Sequence, residues 1–197
     1  MSAPLPDFAD SPLADLLAAA NQPGAPVEQW DPAHCGTIDI RIDAAGRWFH
    51  EGGEIRRPAL VNLFARVLRR EPDGSYVLVT PGEKMAITVE DAPLVAVEAR
   101  FDGEGEDATL TLRCATGELV AVDANHPLTL RDGPAGPLPY LHVRGPAGRG
   151  IEARPTRACY LDLAEHADAQ GHVWSGGRRW RGGGRGEGTS RPRPPSW

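Results

Sequence analysis

Between Thr37 and Ile42 apolar and polar residues alternate: Ile38, Ile40 and Ile42 project one way, Asp39 and Arg41 the other. Successive side chains of an extended chain point to opposite faces, so the pattern predicts a strand with one buried side. Asp43–Gly46 supplies turn residues, and Arg47 to His50 is the return strand of a hairpin, with Trp48 placed over the core. The period then changes. From Pro58, a residue suited to the first helical position, Leu60, Val61, Leu63, Phe64, Val67 and Leu68 recur at helical spacing. Asn62, Arg66, Arg69 and Arg70 fall on the opposite, wet face, and the last arginines suit the negative end of a helix dipole. Pro72-Asp73-Gly74 is a turn. Strands follow at Ser75 to Thr80 and Met85 to Val89, joined by Pro81-Gly82-Glu83-Lys84.

Upstream, Ser11-Pro12 reads as a helix start, followed by Leu13, Leu16, Leu17 and Ala20 at helical spacing. Beyond Asp91-Ala92-Pro93 the texture turns mostly to β, with strands predicted at Leu94 to Phe101, Ala108 to Cys114 and Glu118 to Val122. Asn125-His126-Pro127 breaks the pattern. Extended pieces at Tyr140 to Arg144 and Ile151 to Arg154 precede a helix from Thr156 to His166. The expectation is an α+β fold in which two related small halves share one core. Residues 1–29 are a helix and linker, 30–91 a ββαββ half, 92–177 a β-rich meander closed by a helix, and 178–197 a disordered Gly/Arg/Pro tail. No sequence repeat is visible.

Composition bounds the chemistry. Apolar residues make up 41% and charged residues 24% of 197, a globular balance. No apolar run approaches the ~20 residues of a membrane span, and the first ten residues hold no Lys or Arg, so the expected address is cytoplasmic. Net charge is −6, but the last twenty residues carry six Arg against one Glu, which leaves the preceding 177 at −11. An acidic body repels phosphate backbones, so nucleic acid is expected only as a weak partner of the basic tail. There is one lysine, Lys84, against 20 arginines. Cys35, Cys114 and Cys159 form neither a disulfide framework nor a CxxC motif.

The motifs of the common enzyme classes are missing. Gly82-Glu83-Lys84 lacks the glycine spacing of a phosphate loop, and there is no Gly-x-Ser-x-Gly elbow and no HExxH. Ser175 sits without a recognisable base. His34 and Cys35 are neighbours on an extended chain and point apart, while His126 and His142 meet only if the fold brings them together. No metal, cofactor or catalytic set is therefore expected. The Thr80–Lys84 connection is either a receiver for an anion or carboxylate, or a solvated hairpin tip with a surface ion pair worth ~0–1 kcal/mol. Polar residues at strand ends and loops suggest one ligand cleft between the halves, lined by Arg57, Lys84, His142 and Arg144. The reading that follows is a ligand- or protein-binding module. Its alternatives are a hydrolase or transferase whose site forms only in the fold, and a structural subunit of a larger assembly.

The order and spacing of several segments carry a resemblance. They are Cys35–Ile42, Gly46-Arg47-Trp48, Arg57–Val61, Asp73–Tyr76, Leu78–Pro81, Glu83-Lys84 and Val89–Pro93, then His126-Pro127-Leu128, Pro139–Arg144, Ile151–Ala153 and Trp174–Gly177. Over about Trp30 to Gly177 the chain resembles the proteobacterial domain-of-unknown-function family 1285. The resemblance implies a two-part α+β arrangement with related motifs in its halves, no established activity, and a role in signalling through a ligand or protein partner. The chain departs from the family at Pro146–Arg149 and in the tail, whose Gly/Arg/Pro/Trp string is what out-of-frame translation of GC-rich DNA gives.

Overall fold

The structure, a computed structural model, describes residues 26–133 and 136–182. The helix expected from Ser11 and the chain beyond Gly182 lie outside these residues. A 3-10 turn at Val27–Gln29 leads into β1 (His34–Ile42), β2 (Trp48–His50), β3 (Gly53–Glu54), α1 (Pro58–Arg66), β4 (Leu68–Arg70), β5 (Tyr76–Val79) and β6 (Glu83–Val89). The second half runs β7 (Leu94–Asp102), β8 (Thr109–Cys114), β9 (Leu119–Ala121), β10 (Leu128–Gly133), β11 (Gly136–Arg144), β12 (Ile151–Pro155) and α2 (Arg157–Glu165). A separate hairpin, β13 (His172–Ser175) and β14 (Arg178–Arg181), follows.

The two halves share a topology. The first sheet has the order β3-β2-β1-β6-β5-β4 and the second β9-β8-β7-β12-β11-β10. In each, two three-stranded antiparallel meanders join through one parallel pair, β1 with β6 and β7 with β12. Both sheets feed one core. Ile40, Ile42, Trp48, Phe64 and Leu78 of the first half pack in a cluster with Leu94, Leu112, Leu141, Ile151 and Leu163 of the second. Along β1 the burial alternates as the sequence predicts, with Ile40 and Ile42 at 1% and 0% exposure.

The strand content exceeds the expectation, so the α+β description is corrected toward β: among the described residues, two curled six-stranded sheets carry only two α-helices. The largest difference falls after Arg66. The helical stripe was expected to run to Arg70, but the helix ends at Val67 (φ −99, ψ 8) and Leu68–Arg70 become the edge strand β4. Leu68 pairs with Leu78 and Arg70 with Tyr76, because burying Val67 and Leu68 in the sheet satisfies both their side chains and their backbone. Arg69, expected on the wet face, is buried and donates through NH1 to the carbonyls of Val27 (2.7 Å) and Trp30 (2.6 Å). β3 and β4 give the first half a βββαβββ order, and β10 adds an unexpected strand to the second. The ordered chain continues past the expected tail boundary at Arg178: Val173 pairs with Trp180, whose indole N–H donates to the Ser175 carbonyl at 3.0 Å.

Candidate functional site

Where the two halves meet, a pocket of about 350 Å³ opens between the β2–β3 hairpin, the start of α1 and the entry to β7. Trp48, Ile55, Pro58 and Val61 line it from the first half, and Pro93, Leu94, Val95 and Ala115 from the second. Its polar groups are Arg47, Glu54, Arg56, Asn62 and Thr116. The β1–β2 turn sets one edge: Gly46 holds φ +78, and a Cβ there would run into Val95. Only glycine lets the turn lie this close to β7. Trp48, 2% exposed, stacks on Phe64 at 6.1 Å between ring centroids and forms the inner wall.

Asp43 fixes the arginine at the mouth. Its Oδ1 accepts the Ala45 and Arg47 backbone N–H groups, each at 2.9 Å, and its Oδ2 accepts Arg47 Nε at 2.8 Å. Burial alone raises the Asp43 pKa, but these bonds outweigh it and hold the carboxyl below its ordinary value. Arg56 Nε donates to Glu54 at 3.1 Å from a side chain that is 83% exposed. Thr116 donates its hydroxyl to Glu118. The Asn62 carboxamide makes no hydrogen bond with any described residue.

A polar seam beside this pocket ties the halves. Asp91 accepts the Tyr140 hydroxyl at 2.7 Å and pairs with Arg154 at 3.0 Å, and Arg154 also donates to the Ala44 carbonyl. Glu152 pairs with Arg131 at 2.9 Å and with Arg70 at 3.8 Å. Burial, reinforced by donation to Asp91, pushes the Tyr140 phenol up, so it stays a donor.

The four residues expected in one cleft are placed apart. Lys84 leaves β6 on the outer face of the first sheet, in register with Cys35, and lines an open depression with Glu71, Asp73 and Ser75. Its ammonium is 3.2 Å from Glu71, which also accepts Arg69 Nε at 2.7 Å. His142 and Arg144 do come together, in a depression of about 430 Å³ with Asn125 and His126. The Arg144 guanidinium is nevertheless turned toward the first half, donating to the carbonyl of Ala65 in the last turn of α1 and, at 3.1 Å, to that of Leu68 at the start of β4. Burial lowers its pKa. Arg57 is the N-cap residue of α1, adjoining the junction pocket between Arg56 and Pro58, and its carbonyl accepts Leu60 N and Val61 N.

The fold does bring His126 and His142 together, with ring centroids 6.5 Å apart, and His126 Nδ1 lies 3.1 Å from Asp123 Oδ1. Among the described residues no group of three or more His, Cys, Asp or Glu is arranged to hold a metal ion. Ser175 is fully buried in β13. It donates to the Val122 carbonyl at 2.6 Å and accepts Leu110 N at 2.9 Å, which is structural work. Among the described residues no helix is long and apolar enough to cross a membrane.

Two family models match consecutive stretches of the chain: "Domain of unknown function (DUF1285), N-terminal domain" over residues 25–92 and "Protein of unknown function (DUF1285), C-terminal domain" over 93–181. The chain belongs to the DUF1285 family. A crystal structure of a DUF1285 protein from Silicibacter pomeroyi DSS-3 is similar at 38% identity with a TM-score of 0.76, covering 84% of this chain and 93% of that one. A DUF1285 protein from Shewanella baltica OS155 is 29% identical, covers 64% of this chain and 90% of its own, and has a TM-score of 0.47. No curated protein matches. The border between the two DUF1285 models falls at Ala92-Pro93, and Pro93 lines the junction pocket. In the sequence Asp91-Ala92-Pro93 marked only the change of texture between the halves, and nothing there said that Asn62 and Thr116 would line one pocket across that boundary.

Proposed function

We propose that this DUF1285 protein is a binding module, without chemistry of its own, that takes a small molecule in the pocket between its halves. One observation carries the reading: the described pocket walled by both halves combines an apolar interior with a few polar groups, among them an Asn62 carboxamide that no described residue engages. Ligand sites are concave, mostly apolar, and placed preferentially at junctions of structural units. A ligand there touches Val61 and Asn62 on α1 as well as Leu94 and Val95 on β7. It therefore bridges the halves and favours one setting of the junction, which gives the signalling role a physical route.

A thermal-shift screen of the full chain against metabolites tests this. A ligand at a hundred times its Kd stabilises the fold by about 2.7 kcal/mol, a rise of a few degrees. Ala115 is exposed on the pocket wall, so Ala115→Trp closes the mouth without entering the core. Hits that survive this substitution unchanged bind elsewhere and argue against the reading.

The enzyme alternative rests on Asp123, His126 and His142. An imidazole held by a carboxylate is the arrangement of a general base. No Ser, Cys, Thr, Lys or Tyr lines that depression, so the chemistry it suits is activation of water. Hydrolysis of a generic ester that is lost in His126→Gln would support it. The structural-subunit alternative draws on the exposed Leu119 (70%) and Leu161 (50%), single residues on β9 and α2 rather than one patch.

A further inference from the structure

We propose that the ligand of the junction pocket is a mononucleotide, with its base in the apolar slot, its amide-like edge on Asn62 and its phosphate at Arg47 and Arg56. This rests on the binding-module reading and deepens it. The slot has apolar material on two sides, Pro58 and Val61 from α1 and Leu94 and Val95 from β7, which suits a flat ring. A carboxamide presents a donor next to an acceptor, and its complement is an edge carrying the same pair, as nucleobases do. Asn62 lines this slot with both groups unspent on described residues.

The mouth completes the match. Arg47 uses Nε and NH2 on Asp43, and Arg56 uses Nε on Glu54. Each guanidinium has five N–H donors, so each keeps some to offer, and their planar forks fit phosphate oxygens. Only Oε2 of Glu54 is engaged by Arg56, which leaves Oε1 to accept from sugar hydroxyls. A volume of about 350 Å³ lies at the small end of ligand pockets, fitting one nucleotide rather than a dinucleotide.

Titration calorimetry of the full chain with AMP, GMP, CMP and UMP, and with the matching nucleosides, tests the assignment, using Asn62→Leu, Arg56→Ala and Ala115→Trp as variants. At least one monophosphate is expected to bind one to one, with its nucleoside about tenfold or more weaker. Asn62→Leu is expected to cost about tenfold or more in affinity, Arg56→Ala to shrink the preference for the phosphate, and Ala115→Trp to abolish binding. Nucleotides that bind Ala115→Trp as well as the parent chain overturn the assignment. If no monophosphate binds at millimolar concentration while another metabolite binds and is blocked by Ala115→Trp, the nucleotide falls and the binding module stands. If nothing in the metabolite screen binds, both fall.

Discussion

Cys35, Cys114 and Cys159 share a side chain and differ only in surroundings. Cys114 and Cys159 are fully buried, and burial pushes each thiol up to about 12, whereas Cys35 is exposed on the outer face of the first sheet. The thiolate is the reacting form, so a disulfide reagent at pH 8 should titrate one thiol in the native protein and three in urea. A native count above one would mean that the core around α2 opens on the time scale of the assay. Arg144 shows the same dependence on place. It was expected to bind a ligand, but its guanidinium joins the carbonyl of Ala65, in the last turn of α1 where backbone acceptors lack helical partners, to that of Leu68 at the start of β4. Arg144→Ala strands those carbonyls and should cost about 2–4 kcal/mol in urea denaturation. Arg144→Lys should recover only part of this, because one ammonium cannot reproduce a planar fork reaching two carbonyls. A loss below about 0.5 kcal/mol would show the contact to be dispensable. The sequence flagged Arg144 as special without showing why, since its partners lie 79 and 76 residues away.

Elements were legible where one face is buried along the whole length. β1 alternates as the residues say, α2 spans Arg157–Glu165 inside the expected range, and Thr156 caps it by accepting Cys159 N. They were illegible where tertiary pairing overrides a local period. Val67–Arg70 extends a good helical stripe, yet the edge of the first sheet takes it as β4, and β3 is too short for any alternation to be read. Glu71, just past β4, records that switch. Burial raises its pKa, but hydrogen bonds from Arg69 and Lys84 outweigh this and leave it lowered. A carboxyl with a depressed folded pKa stabilises the protein above its unfolded pKa, and that contribution is lost as pH falls through the folded value. Stability should therefore hold above about pH 4.5 and then decline. Glu71→Gln, which keeps the shape and removes the titration, should decline less steeply on the acid side in urea midpoints measured from pH 6 to pH 2.5. Parallel profiles for the two proteins would assign the acid sensitivity elsewhere, first to Asp43, whose pKa is lowered in the same sense.

At the scale of the molecule, the duplicated topology poses a question that the core answers. Two sheets of identical strand order would each serve as a separate folding unit if each had its own core, and the family models divide the chain at that border. The buried side chains do not respect the division. Phe64 and Leu78 of one half and Leu94, Leu141 and Ile151 of the other belong to one cluster, and Arg144 crosses to α1 while Arg154 crosses to the β1–β2 turn. The shared core agrees with the expectation from the sequence, but the contacts that tie it were not visible there: the halves show no repeat, and the seam residues Arg70, Asp91, Tyr140 and Glu152 look like ordinary surface polarity. A shared core removes the advantage of opening one half alone, because opening exposes apolar surface on both. Hydrogen exchange in increasing urea should therefore show amides of Ile38–Ile42 and of Leu110–Cys114 reaching the same opening free energy, close to that of global unfolding. Tyr140→Phe leaves Asp91 without one of its donors, and it should lower both segments together, by about 1–2 kcal/mol. If Ile38–Ile42 opens first and Tyr140→Phe affects only the second half, the junction is a contact between two independent units. A ligand in the pocket would then have a hinge to close rather than a single core to tighten.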